Sequence, residues 1–183
     1  MSIQEHVNTV KETIAAAALA AGRDPGDITL CAATKVQTDD TIRQAIAAGI
    51  TVCGENRVQE LTAHLAANAY AGAQVHFIGH LQTNKVKQVV GKAALIHSVD
   101  SQRLLQAIEN QAGKLGLVQD ILLEVNIAGE ESKGGCTPQE AEALAALAAG
   151  MDHVRLRGLM AIPPVSPEPG ANRPFFAAMR QLF

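Results

Sequence analysis

The sequence predicts an α/β fold of parallel strand–helix–strand units, and three observations carry that reading. Short apolar runs bounded by turn residues alternate with longer stretches of helical periodicity, so that six strands can be counted in 183 residues. Hydrophobic residues make up 48% of the chain, enough for one domain with a substantial core. No Gly-x-Gly-x-x-Gly turn follows the first strand, which weakens a dinucleotide-binding open sheet and puts a (β/α)8 TIM-barrel-like arrangement ahead of it.

The elements follow in order. Ser2 to Ala21 carries Ile3, Val7, Val10, Ile14 and Leu19 at roughly helical spacing in an alanine-rich stretch that Gly22 stops. After the turn Arg23-Asp24-Pro25-Gly26-Asp27, the run Ile28 to Thr34 is too short for a helix and reads as the first strand. A helix over Asp39–Ala48, a strand over Thr51–Cys53, a helix over Arg57–Ala67 and a strand over Val75–Ile78 come next. They are followed by a helix over Asn84–Val90, a strand over Ala94–Val99, a helix over Gln102–Lys114 and a strand over Val118–Val125. Then come a helix over Pro138–Ala149 and a strand over Val154–Met160. Pro163 to Gly170 reads as a stiff loop, and Arg173 to Phe183 as the start of a further helix. Strands alternating with helices imply parallel pairing through right-handed crossovers.

A net charge of −3, with Lys and Arg scattered along the chain, offers no basic footprint for nucleic acid. No run approaches the roughly 20 apolar residues of a membrane span, and the N-terminus lacks a basic segment followed by an apolar one, so a cytoplasmic protein is expected. Cys31, Cys53 and Cys136 are odd in number and widely spaced, which argues for free thiols over a disulfide framework or a zinc site.

In parallel α/β folds the reacting groups gather at the C-terminal ends of strands. The first strand ends in Lys35, and Thr29, Cys31 and Ala33 on the same face are small, leaving room beside the amine if that face is interior. A desolvated lysine has a lowered pKa and can condense with an aldehyde; the alternative is a lysine at the barrel mouth reaching solvent. The second strand ends in Cys53-Gly54-Glu55-Asn56-Arg57, where Asn56 can donate and accept hydrogen bonds or simply cap the next helix. His76 and His80 share a parity at the end of the third strand, a weak zinc pair without an evident third ligand. His97-Ser98-Val99-Asp100-Ser101 ends the fourth strand. Val125-Asn126 ends the fifth, before the polar loop containing Glu130, Glu131 and Lys133.

Taken together these motifs resemble the pyridoxal-phosphate homeostasis proteins, also called the YggS or PROSC family. Ala32-Ala33-Thr34-Lys35, Gly54-Glu55-Asn56-Arg57-Val58-Gln59-Glu60 and His76-Phe77-Ile78-Gly79-His80-Leu81-Gln82-Thr83-Asn84-Lys85 carry the likeness. His97-Ser98-Val99-Asp100, Val125-Asn126-Ile127 with Glu131-Ser132-Lys133-Gly134-Gly135, and Arg157-Gly158-Leu159-Met160 continue it in the same order along essentially the whole chain. Val75 departs from the signature, where an aromatic residue usually precedes the histidine. The resemblance implies a barrel of the alanine racemase N-terminal domain type, with pyridoxal 5′-phosphate held as an internal aldimine on Lys35. It implies cofactor contacts at Asn56, His80, Ser98 and Met160. It also implies a serine-rich phosphate-binding strand and a Val-Arg-Ile-Gly-like strand, which this sequence does not contain. The expectation is therefore a single cofactor-binding barrel domain over 1–183, truncated by its last two strands, with strands one and six left as edges.

The function expected is a carrier or regulator in intracellular cofactor homeostasis, with no substrate turnover, no metal, and protein partners that the sequence does not name. An amino-acid racemase of related fold needs a tyrosine acid/base from a second domain, whereas the only tyrosine here, Tyr70, lies in an expected loop. A cofactor-free Schiff-base aldolase using Lys35 is the remaining alternative.

Overall fold

The computed structural model describes residues 2–183 and contains six parallel strands and six α-helices. The strands are β1 (Cys31–Ala33), β2 (Val52–Glu55), β3 (Gln74–Phe77), β4 (Leu95–Val99), β5 (Gln119–Glu124) and β6 (Val154–Met160). The helices are α1 (Ile3–Ala20), α2 (Asp39–Ala47), α3 (Val58–Ala66), α4 (Gln102–Leu115), α5 (Pro138–Ala149) and α6 (Arg173–Leu182). Strand order in the sheet follows chain order, β1 through β6. The chain packs as two compact units, one ending at His76 and the other running from Phe77 to Phe183.

In the first unit, α1 begins at a capping box. The Ser2 hydroxyl accepts from the Glu5 N–H, and the Glu5 carboxylate accepts from the Ser2 N–H. It packs against α2, and Ile42, Ile50, Val52, Cys53 and Leu61 form the buried interior. All four residues of β2 are buried, the pattern of a parallel strand covered on both faces. The first strand is shorter than the predicted Ile28–Thr34. A 3-10 turn at Pro25–Asp27 precedes it, and its ladder starts at Cys31 because the partner strand starts at Val52.

In the second unit, β5 alternates buried and half-buried residues with Gln119, Ile121 and Leu123 inward. The ladder with β6 pairs Gln119 with Val154 and Glu124 with Met160. Leu104, Leu105, Ile108 and Ala112 line one face of α4, which Gly116 ends in a left-handed conformation at φ 65°. The helix predicted over Asn84–Val90 is instead a 3-10 helix at Thr83–Gln88. Val86 within it is buried, as are Val89 and Val90 just after it. Gln119 buries its amide by donating to the Ala93 carbonyl at 3.0 Å, while its oxygen accepts from the Gly91 N–H at 3.0 Å. Among the described residues no helix is long and apolar enough to cross a membrane.

Candidate functional site

Parallel register places Lys35 and Asn56 at matching positions. Ala33 pairs with Gly54, so each polar residue lies two positions beyond that pair, at the C-terminal ends of adjacent strands. Lys35 is exposed in the turn after β1, which is the solvent-reaching alternative of the two the sequence left open and not the desolvated one. Asn56 does not cap α3. Arg57 occupies that position without a side-chain cap bond, and the Asn56 Oδ1 is buried without a hydrogen-bond partner.

Beneath these two residues lies a carboxylate that sequence reasoning missed. Glu55 is 0% exposed, and its Oε1 accepts from the Thr34 hydroxyl at 2.6 Å and the Tyr70 hydroxyl at 2.8 Å. Thr34 is further tied to the Gly54 carbonyl through its N–H at 2.9 Å. His64 Nε2 lies 3.9 Å from the same Glu55 oxygen, and its Nδ1 is 2.6 Å from the Asp39 carboxylate. The His64 and Tyr70 rings meet edge to face at 5.9 Å. Burial, with the Glu55 carboxylate as hydrogen-bond acceptor and neighbouring charge, pushes the Tyr70 hydroxyl far above its ordinary value and keeps it a donor. The polar residue Glu55 within an apolar strand was the available signal. Nothing in the sequence paired it with Tyr70.

In the second unit, Ser98 and Met160 sit on β4 and β6, the strands flanking β5. Ser98 is 1% exposed, and its Oγ is buried without a partner. Met160 is half-buried, with its carbonyl accepting from the Val125 N–H. His80 is exposed on the wall of a cleft of about 470 Å³ that also takes in Gln82, Asn84, Asp100 and Ser101. At the end of β5, burial raises the Glu124 carboxyl above its usual range. The Asp100 charge adds to the rise and His80 opposes it. Ser101 caps α4 through the Leu104 N–H. Lys133 is not a free loop charge: it pairs with Glu130 at 2.8 Å and donates to the carbonyls of Ile162 and Pro163 at 3.3 and 3.0 Å. Burial lowers the His76 pKa, and no group of three potential metal ligands occurs among the described residues. Within the first unit, an exposed amine beyond one strand end and a buried unpartnered oxygen beyond the next suit an aldehyde-bearing polar ring.

The profile of the alanine racemase N-terminal domain family matches residues 25–183. The pyridoxal phosphate homeostasis protein of Aquifex aeolicus is 41% identical over 182 residues, covering 100% of this chain and 80% of that protein. The chain belongs to the pyridoxal phosphate homeostasis protein family. PipY of Synechococcus elongatus, solved with pyridoxal phosphate bound, superposes with a TM-score of 0.83 at 29% identity over 99% of this chain and 80% of that one. Solved without the cofactor, PipY gives 0.87 at 30% identity. An alanine racemase from Clostridium difficile, 12% identical and covering 85% of this chain and 41% of its own, superposes at 0.70 and shows the shared fold alone. The TIM-barrel-like, alanine racemase N-terminal class read from the sequence is thereby the fold of this chain.

Proposed function

We propose that this chain binds pyridoxal 5′-phosphate through Lys35 and serves intracellular homeostasis of that cofactor without turning over a substrate. The observation that carries the reading is the placement of Lys35 and of the unpartnered Asn56 oxygen just beyond the ends of adjacent strands, in a family whose relative PipY holds the cofactor. The cofactor supplies an aldehyde that condenses with a neutral primary amine. Lys35 is the covalent holder. Asn56 orients the ring, with His80, Ser98 and Met160 as further contacts. The non-catalytic part of the reading is supported by Tyr70, the only tyrosine, whose hydroxyl is buried and committed to Glu55. Three free cysteines fit a reducing cytoplasm.

The test is peptide mass mapping after incubation with pyridoxal phosphate and borohydride reduction, with Lys35→Ala as control. Modification concentrated at Lys35 is expected, with no exchange of amino-acid α-protons into deuterated water. Even modification of all exposed lysines would remove the cofactor reading, and measurable α-proton exchange would remove the non-catalytic one.

A further inference from the structure

Lys35 sits in a turn held against the preference of its own sequence. The Gln37 N–H donates to the Thr34 carbonyl at 3.1 Å, closing the turn across Lys35 and Val36. Val36 has φ +57°, a left-handed backbone that a β-branched side chain strongly disfavours. Packing does not explain the choice, because Val36 is 76% exposed. Left alone, such a residue relaxes toward negative φ, and where that rotation is not compensated within the turn the backbone that carries Lys35 shifts with it. One contact outside the turn opposes this. In the observed orientation the Val36 N–H donates to Glu60 Oε2 at 3.2 Å. Glu60 comes from the first turn of α3, where a carboxylate suits the helix N-terminus, and its other oxygen lies 3.5 Å from Arg57 Nη1. The floor of the turn is rigid, since Thr34 is bonded to both Gly54 and Glu55.

We propose that Glu60 is a positioning residue for Lys35: by accepting the Val36 N–H it holds the strained turn that presents the amine. This rests on the reading of Lys35 as the cofactor amine. Glu60 acts through the backbone, and the strain at Val36 is what makes it necessary.

A double-mutant cycle on the full chain separates the contact from the strain. Glu60→Ala, Val36→Gly and the double variant are treated with pyridoxal phosphate and borohydride. The labelling rate at Lys35 is taken relative to exposed Lys114 in the same molecules. Exchange of the Val36 amide and the urea unfolding midpoint are measured on the unlabelled chains. Glu60→Ala is expected to slow Lys35 labelling about tenfold and to speed exchange at Val36, a size set by the usual cost of a non-glycine residue at positive φ. Val36→Gly is expected to label at the wild-type rate, and the double variant to recover it, because glycine takes positive φ unaided. Glu60→Gln keeps an acceptor oxygen and is expected to stay near wild type, which separates the contact from the fold if the alanine variant unfolds. Wild-type labelling in Glu60→Ala, or a double variant as slow as Glu60→Ala, would overturn the proposal. Wild-type Lys35 reacting no faster than Lys114 would instead overturn the cofactor reading beneath it.

Discussion

Glu55 shows how much one buried carboxylate can organise. Its Oε1 receives two hydroxyl donors, from Thr34 and Tyr70, while its Oε2 has no hydrogen-bond partner. Removing one donor leaves a buried charge less compensated, so Tyr70→Phe should cost about 1–3 kcal/mol of stability, read from urea unfolding. Tyr70 is the only tyrosine and there is no tryptophan, so tyrosinate absorbance follows this residue alone. Its hydroxyl pKa is raised on folding, which means its contribution is intact below the ordinary value of 10.0 and is lost as pH rises beyond it. Tyrosinate absorbance should therefore stay absent in the native chain above pH 10 and emerge only with unfolding. A native titration near pH 10 would show that the Glu55 contact is not maintained. Glu124 is an acid with the same direction of shift, raised first by burial and then by Asp100. Its cost is absent below the ordinary carboxyl range and present at neutral pH. Glu124→Gln should raise the unfolding midpoint at pH 7 and lose that advantage near pH 4.

At the scale of elements, the loop that joins β5 to α5 is held by hydrogen bonds of its own. Asn126 donates to the Glu130 carbonyl at 2.9 Å and accepts the Glu130 N–H at 3.1 Å, pinning the loop at its base. Gly135 closes it at φ +105°, where a Cβ would stand 2.7 Å from the Asn126 nitrogen and 3.0 Å from the Val125 carbonyl carbon. Both neighbours are backbone, so Gly135→Ala should destabilise severely and release the Lys133 anchor on Ile162 and Pro163. Limited proteolysis within 129–135 would report the release, and unchanged resistance would argue against it. The next helix starts from a capping box, with the Thr137 hydroxyl accepting from the Glu140 N–H and the Glu140 carboxylate accepting from the Thr137 N–H. Thr137→Ala should cost about 1 kcal/mol at neutral pH. The Thr137 N–H at 2.8 Å and the Thr137 hydroxyl at 2.9 Å, both donating to the Glu140 carboxylate, hold that carboxyl below its usual range, so the box weakens as pH falls through the lowered value.

At the scale of the whole molecule, a ligand that binds only the folded chain stabilises it by mass action. Pyridoxal phosphate at 100 times its dissociation constant should add about 2.7 kcal/mol, and Lys35→Ala should remove most of that gain in thermal unfolding. The order of strands and helices was legible because it is written locally, in apolar runs of strand length and in helical spacing. All six strands and five of the six helices predicted after the first strand lie within a few residues of their expected places. The misreadings came where a partner element decides the outcome. The first strand starts only at Cys31, where β2 begins to offer it a partner, and the predicted helix over Asn84–Val90 is a 3-10 helix at Thr83–Gln88. By itself the sequence determined the α/β class, the placing of Lys35 and Asn56 at strand ends, and the family. Only the tertiary structure decided that Lys35 is exposed, that Asn56 keeps an unpartnered oxygen, and that Glu55, His64, Tyr70 and Glu60 converge around the turn that carries the lysine. The reason is that hydrogen bonds between residues 15 to 25 positions apart depend on how β1, β2, α2 and α3 pack, and no local periodicity encodes that packing.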